Sequence, residues 1–494
     1  MQQDFDIKKF NSYREDNRRE VKKARGGLPV SLWDTYSAFA NCYGGVIILG
    51  VVELDDGRWK TTGLKSADKL LKDFWNTINN QKKVSINILS EDDVEIYNVG
   101  DDVVMVIYVP MARREYKPVY INGNLFGGAF RRNHDGDYHC TELQVKSMLR
   151  DQTESTMDTR IIENLTLDQL DLESVHSYRN RHRSFKPGHP WANLSDAVYL
   201  QKIGAAEFGR DNILHPTAAG LLMFGEEYRI VREYPEYFLD YREVLDPTIR
   251  WTDRLQSSSG EWSGNLFDFY FRVYNKIIKN VKVPFLIVGG DRIDDTAVHR
   301  ALREVLANCL VNADFFMPRG VVIQQKDEVL ILENPGSIRV GKYQMMRGGE
   351  SDPRNKTLMK MFNMIGIGER AGSGVPELLA TWENQGWEKP CVDERLNHIE
   401  RTVLTLSFKK KVLKKSAEKK VLKKSAEKKV LKKTQEHYKR ILSSMESGVW
   451  YRSNEFMEIL DMKETRLRAL FKELAEAGLV EADGSTKGKK YRKI

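Results

Sequence analysis

The sequence predicts a multidomain protein of the α/β (α+β) class, on three observations. Near the start, an amphipathic stretch of about Val30 to Asn41 carries Leu32, Tyr36, Phe39 and Ala40 at helical spacing, then passes through Gly44-Gly45 into an apolar strand, Val46 to Val52. In the second half, the helical stretch AVHRALREVLANCLVNADFF leads into two strands, GVVIQQKDEVLILENPGSI, folded around Lys326-Asp327. At the far end, three short helical patterns precede a hairpin around Asp483-Gly484. A length of 494 residues suggests roughly two to four domains.

Composition narrows the class. At 41% hydrophobic the chain has enough apolar residues for real cores, and no apolar run approaches the ~18–20 residues of a membrane helix. The opening MQQDFDIKKF lacks the apolar core of a secretory signal. Cys42, Cys140, Cys309 and Cys391 stand singly, which argues against a zinc site and predicts a reducing, cytoplasmic setting. The net charge of +8 is local: residues 410–436 hold 12 Lys and 3 Glu, which leaves the rest of the chain at −1. The basic pI therefore says little about nucleic-acid binding by the domains themselves.

Residues 1–150 read as one α/β domain: after the first strand come a helix, about Lys65 to Gln81, and strands near Val84–Leu89, Val94–Val99 and Val103–Val109. The stretch REYKPVYINGNLFGGAFRRNHDGDYHCT closes it. Lys117, Arg131, Arg132 and His134 in that stretch either contact phosphates or line a solvated strand edge. Residues 151–200 read as a helical connector with Arg179, Arg181 and Arg183 toward solvent. Residues 201–408 form a second α/β body, with a helix at 215–225, a strand at 234–244 and a helix from about Asn265 to Lys279. On its later helix, Glu304, Asn308 and Asn312 stand at i, i+4 and i+8, a polar stripe on an otherwise apolar helix.

Residues 409–436 repeat KKVLKKSAE twice and then KKVLKKTQE. A period of nine advances about 900° on a helix, so successive Val-Leu pairs fall on opposite faces and no coiled-coil seam forms. The segment reads as a charged linker, either a spacer or a sequence-independent electrostatic contact for nucleic acid. Residues 437–494 read as a winged helix-turn-helix. Its third helix carries Leu467, Leu470, Phe471 and Leu474 on one face. As a DNA reader it would set Lys463, Thr465, Arg466 and Arg468 toward the major groove, and Lys487, Lys489, Lys490 and Arg492 along the phosphates.

Family resemblance sharpens these readings. Glu15, Glu20-Val21-Lys22, and Ser37-Ala38-Phe39-Ala40-Asn41 leading into Gly44-Gly45 and Leu49-Gly50-Val51 resemble the start of a Schlafen-type AlbA-like domain. In nuclease members of that family, two acids five residues apart and a third near the next strand bind a divalent metal and cut RNA. The resemblance implies Mg2+ or Mn2+ on Glu15 and Glu20, with Lys22 stabilising developing charge. Val52 stands where the third acid is expected, so Glu53 is the next candidate, then Asp55 or Asp56. Many bacterial relatives are nucleic-acid-binding regulators instead.

The order of elements at 291–408 resembles the divergent ATP-binding module of RecG-like, Schlafen-linked regulators, a relative of the GHKL ATPases. It implies ATP with Mg2+. Glu304 and Asn308 match the helix box, with Asn308 toward the metal. Gly366, Gly368, Gly372 and Gly374 match the phosphate loop. Asn334-Pro335-Gly336 falls where the adenine-reading turn belongs, with Asn in place of Asp and the second Gly missing. Asn312 stands where divergent relatives have His. The run Leu474 to Val480 resembles the helix-to-wing join of bacterial winged-helix regulators.

Two functions follow. One is an ATP-responsive, DNA-binding transcriptional regulator, acting as a homo-oligomer on paired half-sites. The other is a metal-dependent nuclease of RNA or DNA in stress or phage defence. A scaffold that has lost both activities is a third reading.

Overall fold

The computed structural model describes residues 10, 13, 15–153, 155–246, 248–281, 286–288, 291–293, 295–368, 374–395, 399–411, 437–438, 440–446, 448–476, 479–484 and 489–493. The chain forms two compact units, Met1–Lys410 and Lys411–Ile494. Among the described residues no helix is long and apolar enough to cross a membrane. Most of the nine-residue repeat, 412–436, lies outside the described residues.

The first unit begins with a four-stranded sheet in the order Arg19–Lys22, Gly45–Leu49, Asp102–Val109, Val94–Val99. The first pair is parallel and the other two are antiparallel. Alternation along the strands makes two cores. Ile47, Leu49, Met105 and Ile107 pack against Leu32, Tyr36 and Phe39 of helix Leu32–Asn41. Val46, Ile48, Val104 and Val106 pack on the other face with Phe10, Val21 and Trp59.

The single strand expected at 46–52 is two. Gly50 adopts φ +89°, a conformation that L side chains rarely take, and breaks the run into Gly45–Leu49 and Val51–Glu53. The second piece pairs with Trp59–Thr61. The strand expected at Val84–Leu89 is absent. Only Val84 makes a bridge, to Ile121. Farther on, the Tyr36 hydroxyl takes the place of a partner strand, donating to Ile86 O (3.1 Å) and accepting from Ile88 N (3.0 Å).

The Ser37–Asn41 block is a latch. Buried Ser37 donates to Val119 O (2.7 Å) and accepts from Phe130 N (2.9 Å). Asn41, one turn on, donates to Val119 O (2.8 Å) and Phe130 O (2.9 Å) and accepts from Val119 N (2.8 Å). These bonds fix the segment that delivers Arg131 and Arg132.

The second body of the same unit is a six-stranded mixed sheet. Its order is Asp253–Gln256, Leu239–Val244, Val321–Lys326, Val329–Pro335, Arg401–Ser407, Cys391–Arg395. Helices Leu266–Asn280, Ala297–Val311, Lys356–Met364 and Gly374–Asn384 share its core. Residues 151–200, expected as a connector, belong to that core: Ile162, Val175, Tyr178 and Tyr199 are buried in it. Arg179, expected in solvent, is buried as well. It pairs with Asp196 and donates to Ala192 O (3.1 Å), pinning the Pro- and Gly-marked loop to its helix.

In the second unit, strands Trp450–Arg452, Lys490–Lys493 and Val480–Asp483 make an antiparallel sheet in that order. Beside it, helix Glu464–Glu476 buries Leu467, Leu470, Phe471 and Leu474.

Candidate functional site

Strand Arg19–Lys22 turns Val21 inward, so Glu20 and Lys22 share the opposite face. Glu20 is fully engaged: one carboxylate oxygen meets Lys22 Nζ at 2.9 Å, the other Arg132 Nη2 at 2.8 Å. Arg132, 3% exposed, also pairs with Asp137 (2.9 Å), donates to Asp16 O (3.0 Å) and lies 5.1 Å from the Phe39 ring centroid. It was expected either on a phosphate or at a solvated strand edge. The structure makes it the internal counter-ion of two carboxylates. Arg131 is half-buried beside it, and His134 is exposed and paired with Asp135.

The three acids are neighbours without being a ligand set. Glu15 N donates to Glu53 Oε1 (3.3 Å), and Glu15 Oε1 accepts from Val21 N (3.0 Å). Burial, with Glu20 and Glu53 nearby, pushes the Glu15 carboxyl up to about 7. Among the described residues no three acidic, His or Cys side chains converge on a point a metal ion would occupy. As placed, the acids are not gathered for the divalent metal that the sequence resemblance implied, and both Glu20 oxygens face cations.

The second site is better assembled. A cavity of about 160 Å³ opens between helix Ala297–Val311 and the ends of the six-stranded sheet. Glu304, Asn308, Asn312, Asn334 and Gly374 all line it. Glu304 and Asn308 project from successive helical turns, Asn312 caps the helix, and Asn334 ends strand Val329–Pro335. Among the described residues the Asn308 side-chain amide makes no hydrogen bond. Asn312 donates back to Asn308 O (2.9 Å). Asn334 donates to Pro335 O (3.3 Å).

Gly374 opens helix Gly374–Asn384, and a Cβ there would stand 1.9 Å from Glu304 Oε1, so a larger residue would displace the Glu304 carboxylate. Val305, Leu332, Val392 and Leu404 give the cavity an apolar floor. An unpaired amide, a helix start and a flat apolar wall together fit a nucleotide.

The remaining glycines divide differently. Gly336 sits against Arg354, outside the cavity lining. Gly366 and Gly368, expected over phosphates, end helix Lys356–Met364: Gly366 N bonds Asn363 O (3.1 Å), and Gly366 packs against Phe185. Gly372 lies outside the described residues, as does Lys487. In the second unit Lys463, Arg466 and Arg468 are exposed at the start of helix Glu464–Glu476, with Arg468 2.6 Å from Glu464. Lys490 lies on strand Lys490–Lys493, and Lys489 Nζ stands 5.9 Å from the Tyr491 ring centroid.

Sequence reasoning missed the groups that join the two bodies of the first unit. Ser337, Ile338 and Arg339 line the cavity at Asn308 and also a second cavity of about 50 Å³, walled by Asn41, Lys117, Glu394 and Glu400. Arg354 holds Asp151 of helix Glu142–Gln152. Nothing local in the sequence marks Arg354 as the partner of Asp151. Lys117, expected near phosphate, faces inward and donates to Asn41 O (2.8 Å). Burial pulls its ammonium below the usual lysine range.

Glu400 is 9% exposed, and burial pushes its carboxyl up to about 7. Its folded-state affinity for a proton exceeds the unfolded one, so its contribution to stability falls as pH rises from about 4.5 through 7. Glu400→Gln is therefore expected to melt above wild type at pH 8 and no higher than wild type at pH 5, measured by thermal unfolding. The same ordering at both pH values would refute this.

Comparison with known proteins agrees with this layout. Residues 2–141 match the family described as "Schlafen, AlbA_2". Residues 319–403 match the family described as "Putative ATP-dependent DNA helicase recG C-terminal". Residues 146–240 match a domain family of unknown function, DUF8451. No curated protein matches the chain.

Two solved structures are similar. The solution structure of the "N-terminal Domain of Putative ATP-dependent DNA Helicase RecG-related Protein" from Nitrosomonas europaea is 30% identical, covering 27% of this chain and 90% of that one, with a TM-score of 0.22. The crystal structure of the DIP2311 protein from Corynebacterium diphtheriae is 15% identical, covering 99% and 98%, with a TM-score of 0.39. The chain thus joins an N-terminal Schlafen AlbA_2 domain to a RecG C-terminal-type region.

Proposed function

We propose that the protein is a nucleotide-responsive, nucleic-acid-binding regulator. The observation that supports this best is the gathering of Glu304, Asn308, Asn312, Asn334 and Gly374 around one cavity. In this reading the cavity takes ATP with Mg2+. Asn308 offers its amide oxygen to the metal, a hard cation that prefers oxygen ligands. The backbone at the start of helix Gly374–Asn384 receives phosphate oxygens. Asn334 stands at the base end as a neutral amide, able to accept from an exocyclic amine without the charge of an Asp. When bound, Mg2+ neutralises phosphate charge.

The second unit, as a winged helix, reads duplex DNA. Lys463, Arg466 and Arg468 enter the major groove, and Lys489 and Lys490 follow the backbone. Its helix and sheet order supports this, together with the exposed cations at the helix start.

The test is selection of duplex DNA from a random pool by the full chain, with and without Mg2+–ATP. Sequence-selective retention is expected, with ATP changing the affinity. Arg466→Glu with Lys489→Glu is expected to abolish the selectivity. Selective retention unchanged in that variant would remove the second unit as the reader. No effect of ATP would remove the nucleotide response.

A further inference from the structure

We propose that the open groove formed by residues 21–31 is a metal-independent seat for a nucleic-acid phosphate backbone, contacted by Lys23, Arg25 and the main chain of Gly26-Gly27. The inference rests on the nucleic-acid-binding reading above and names the surface of the N-terminal body that performs it.

The groove is shallow and open, and is lined by Val21 to Gly27, Pro29 and Ser31. Its cations have two distinct roles. Lys22 is tied inward to Glu20 at 2.9 Å. Lys23 and Arg25 are exposed, and among the described residues neither pairs with a carboxylate. At Gly26 and Gly27 a Cβ would meet nothing within 4 Å, so the backbone itself borders the open groove and a phosphate can approach it closely.

What lies beneath decides the sign of the site. Glu20 and Asp137, which the Lys22 and Arg132 pairs tie to this surface, would repel a polyanion if they were unpaired. Glu20 is instead neutralised by Lys22 and Arg132, and Asp137 shares the Arg132 guanidinium. Arg132 and Lys22 thus balance Glu20 and Asp137 without a divalent ion, and a chelator does not remove them. Binding through two phosphate contacts also adds roughly −0.7 each to the log–log salt slope for a single strand.

The experiment is hydrogen–deuterium exchange of the full chain, read by peptide, with a short oligonucleotide in EDTA. One arm uses single-stranded DNA and the other RNA of the same sequence. Slower exchange over 21–31 is expected in EDTA, and Lys23→Glu with Arg25→Glu should return it to the rate of the free protein. Both substitutions sit on an exposed loop, so an unchanged melting temperature confirms that the fold is intact. The difference between arms tells which sugar the groove accepts.

Protection confined to the second unit overturns this proposal and leaves the regulator reading standing. No protection anywhere overturns this proposal and leaves the duplex-reading second unit to its own test with duplex DNA. Protection over 21–31 that appears only with Mn2+ overturns the metal-independent assignment.

Discussion

Asp151→Ala is expected to destabilise the first unit by about 3–5 kcal/mol, the usual cost of removing one member of a buried ion pair. The Asp151 carboxylate receives Arg354 Nε at 2.9 Å and Nη2 at 2.6 Å, and Arg354 is 7% exposed. Burial alone would raise the Asp151 pKa. The guanidiniums of Arg354, Arg339 and Arg150 outweigh it and hold the carboxyl below its usual range. Its contribution is thus present above the unfolded carboxyl pKa of about 4 and lost as pH falls through the lower folded value.

Alanine would leave the buried Arg354 guanidinium without its carboxylate, whereas Arg339 keeps Asp352 at 3.3 Å. Asp151→Asn should cost less, because an amide oxygen still accepts a hydrogen bond. The measurement is the urea midpoint at neutral pH, with Glu142→Ala as the control. Glu142 meets Lys146 only at an exposed surface and should give no measurable shift. A midpoint for Asp151→Ala equal to that control would show that Arg354 finds other partners.

The same pair carries a structural consequence for the nucleotide cavity. Arg354 donates to Asn312 O at 2.6 Å and Ser337 O at 3.2 Å, and both residues line the cavity. Asp352, also on the lining, meets Arg114 of the N-terminal body at 2.6 Å. One network therefore joins the cavity wall to helix Glu142–Gln152 and to the segment that follows the first sheet. Loosening it at Asp151 is expected to reach the cavity as well as the interface.

What the sequence made legible was local. Helix Leu32–Asn41, strands Val94–Val99 and Asp102–Val109, and the stripe Glu304, Asn308, Asn312 all follow from periodicity within a few turns or pleats. The stripe did converge on one cavity, because i, i+4 spacing keeps side chains on one helix face whatever surrounds it.

What failed was long-range. Arg132 looked like a phosphate contact because its partner Glu20 is 112 residues away in sequence. The Asp151–Arg354 pair spans 203 residues. Gly366 and Gly368 looked like a phosphate loop because a glycine run does not reveal whether it covers a ligand or ends a helix. The 151–200 segment looked like a connector because its buried Tyr178 and Tyr199 are separated by polar residues and a Pro-marked loop.

Asn308→Ala is expected to weaken Mg2+–ATP binding by about 100-fold, equivalent to about 2.7 kcal/mol. The magnitude follows from comparison: removing partners that merely orient metal ligands costs about 10- to 100-fold, and a direct ligand belongs at or beyond the upper end. The amide has no hydrogen bond among the described residues, so alanine breaks no internal contact and leaves no orphan behind. The loss is therefore expected in ligand affinity, with the melting temperature of the free protein unchanged.

Ligand-induced stabilisation makes the test sharp. At about 100 times its dissociation constant, ATP should stabilise wild type by about 2.7 kcal/mol, whereas the variant at the same concentration would gain only about 0.4 kcal/mol. Chelating Mg2+ should bring wild type down to the level of the variant and leave the variant where it was. That pattern separates a metal contact from a phosphate contact, since a residue touching only phosphate would weaken binding equally with and without Mg2+. Gly374→Ala supplies the steric counterpart: its Cβ would stand 1.9 Å from Glu304 Oε1 and push that carboxylate into the space beside Asn308. Equal affinity in wild type and Asn308→Ala would take Asn308 off the metal and leave the cavity without its cation ligand.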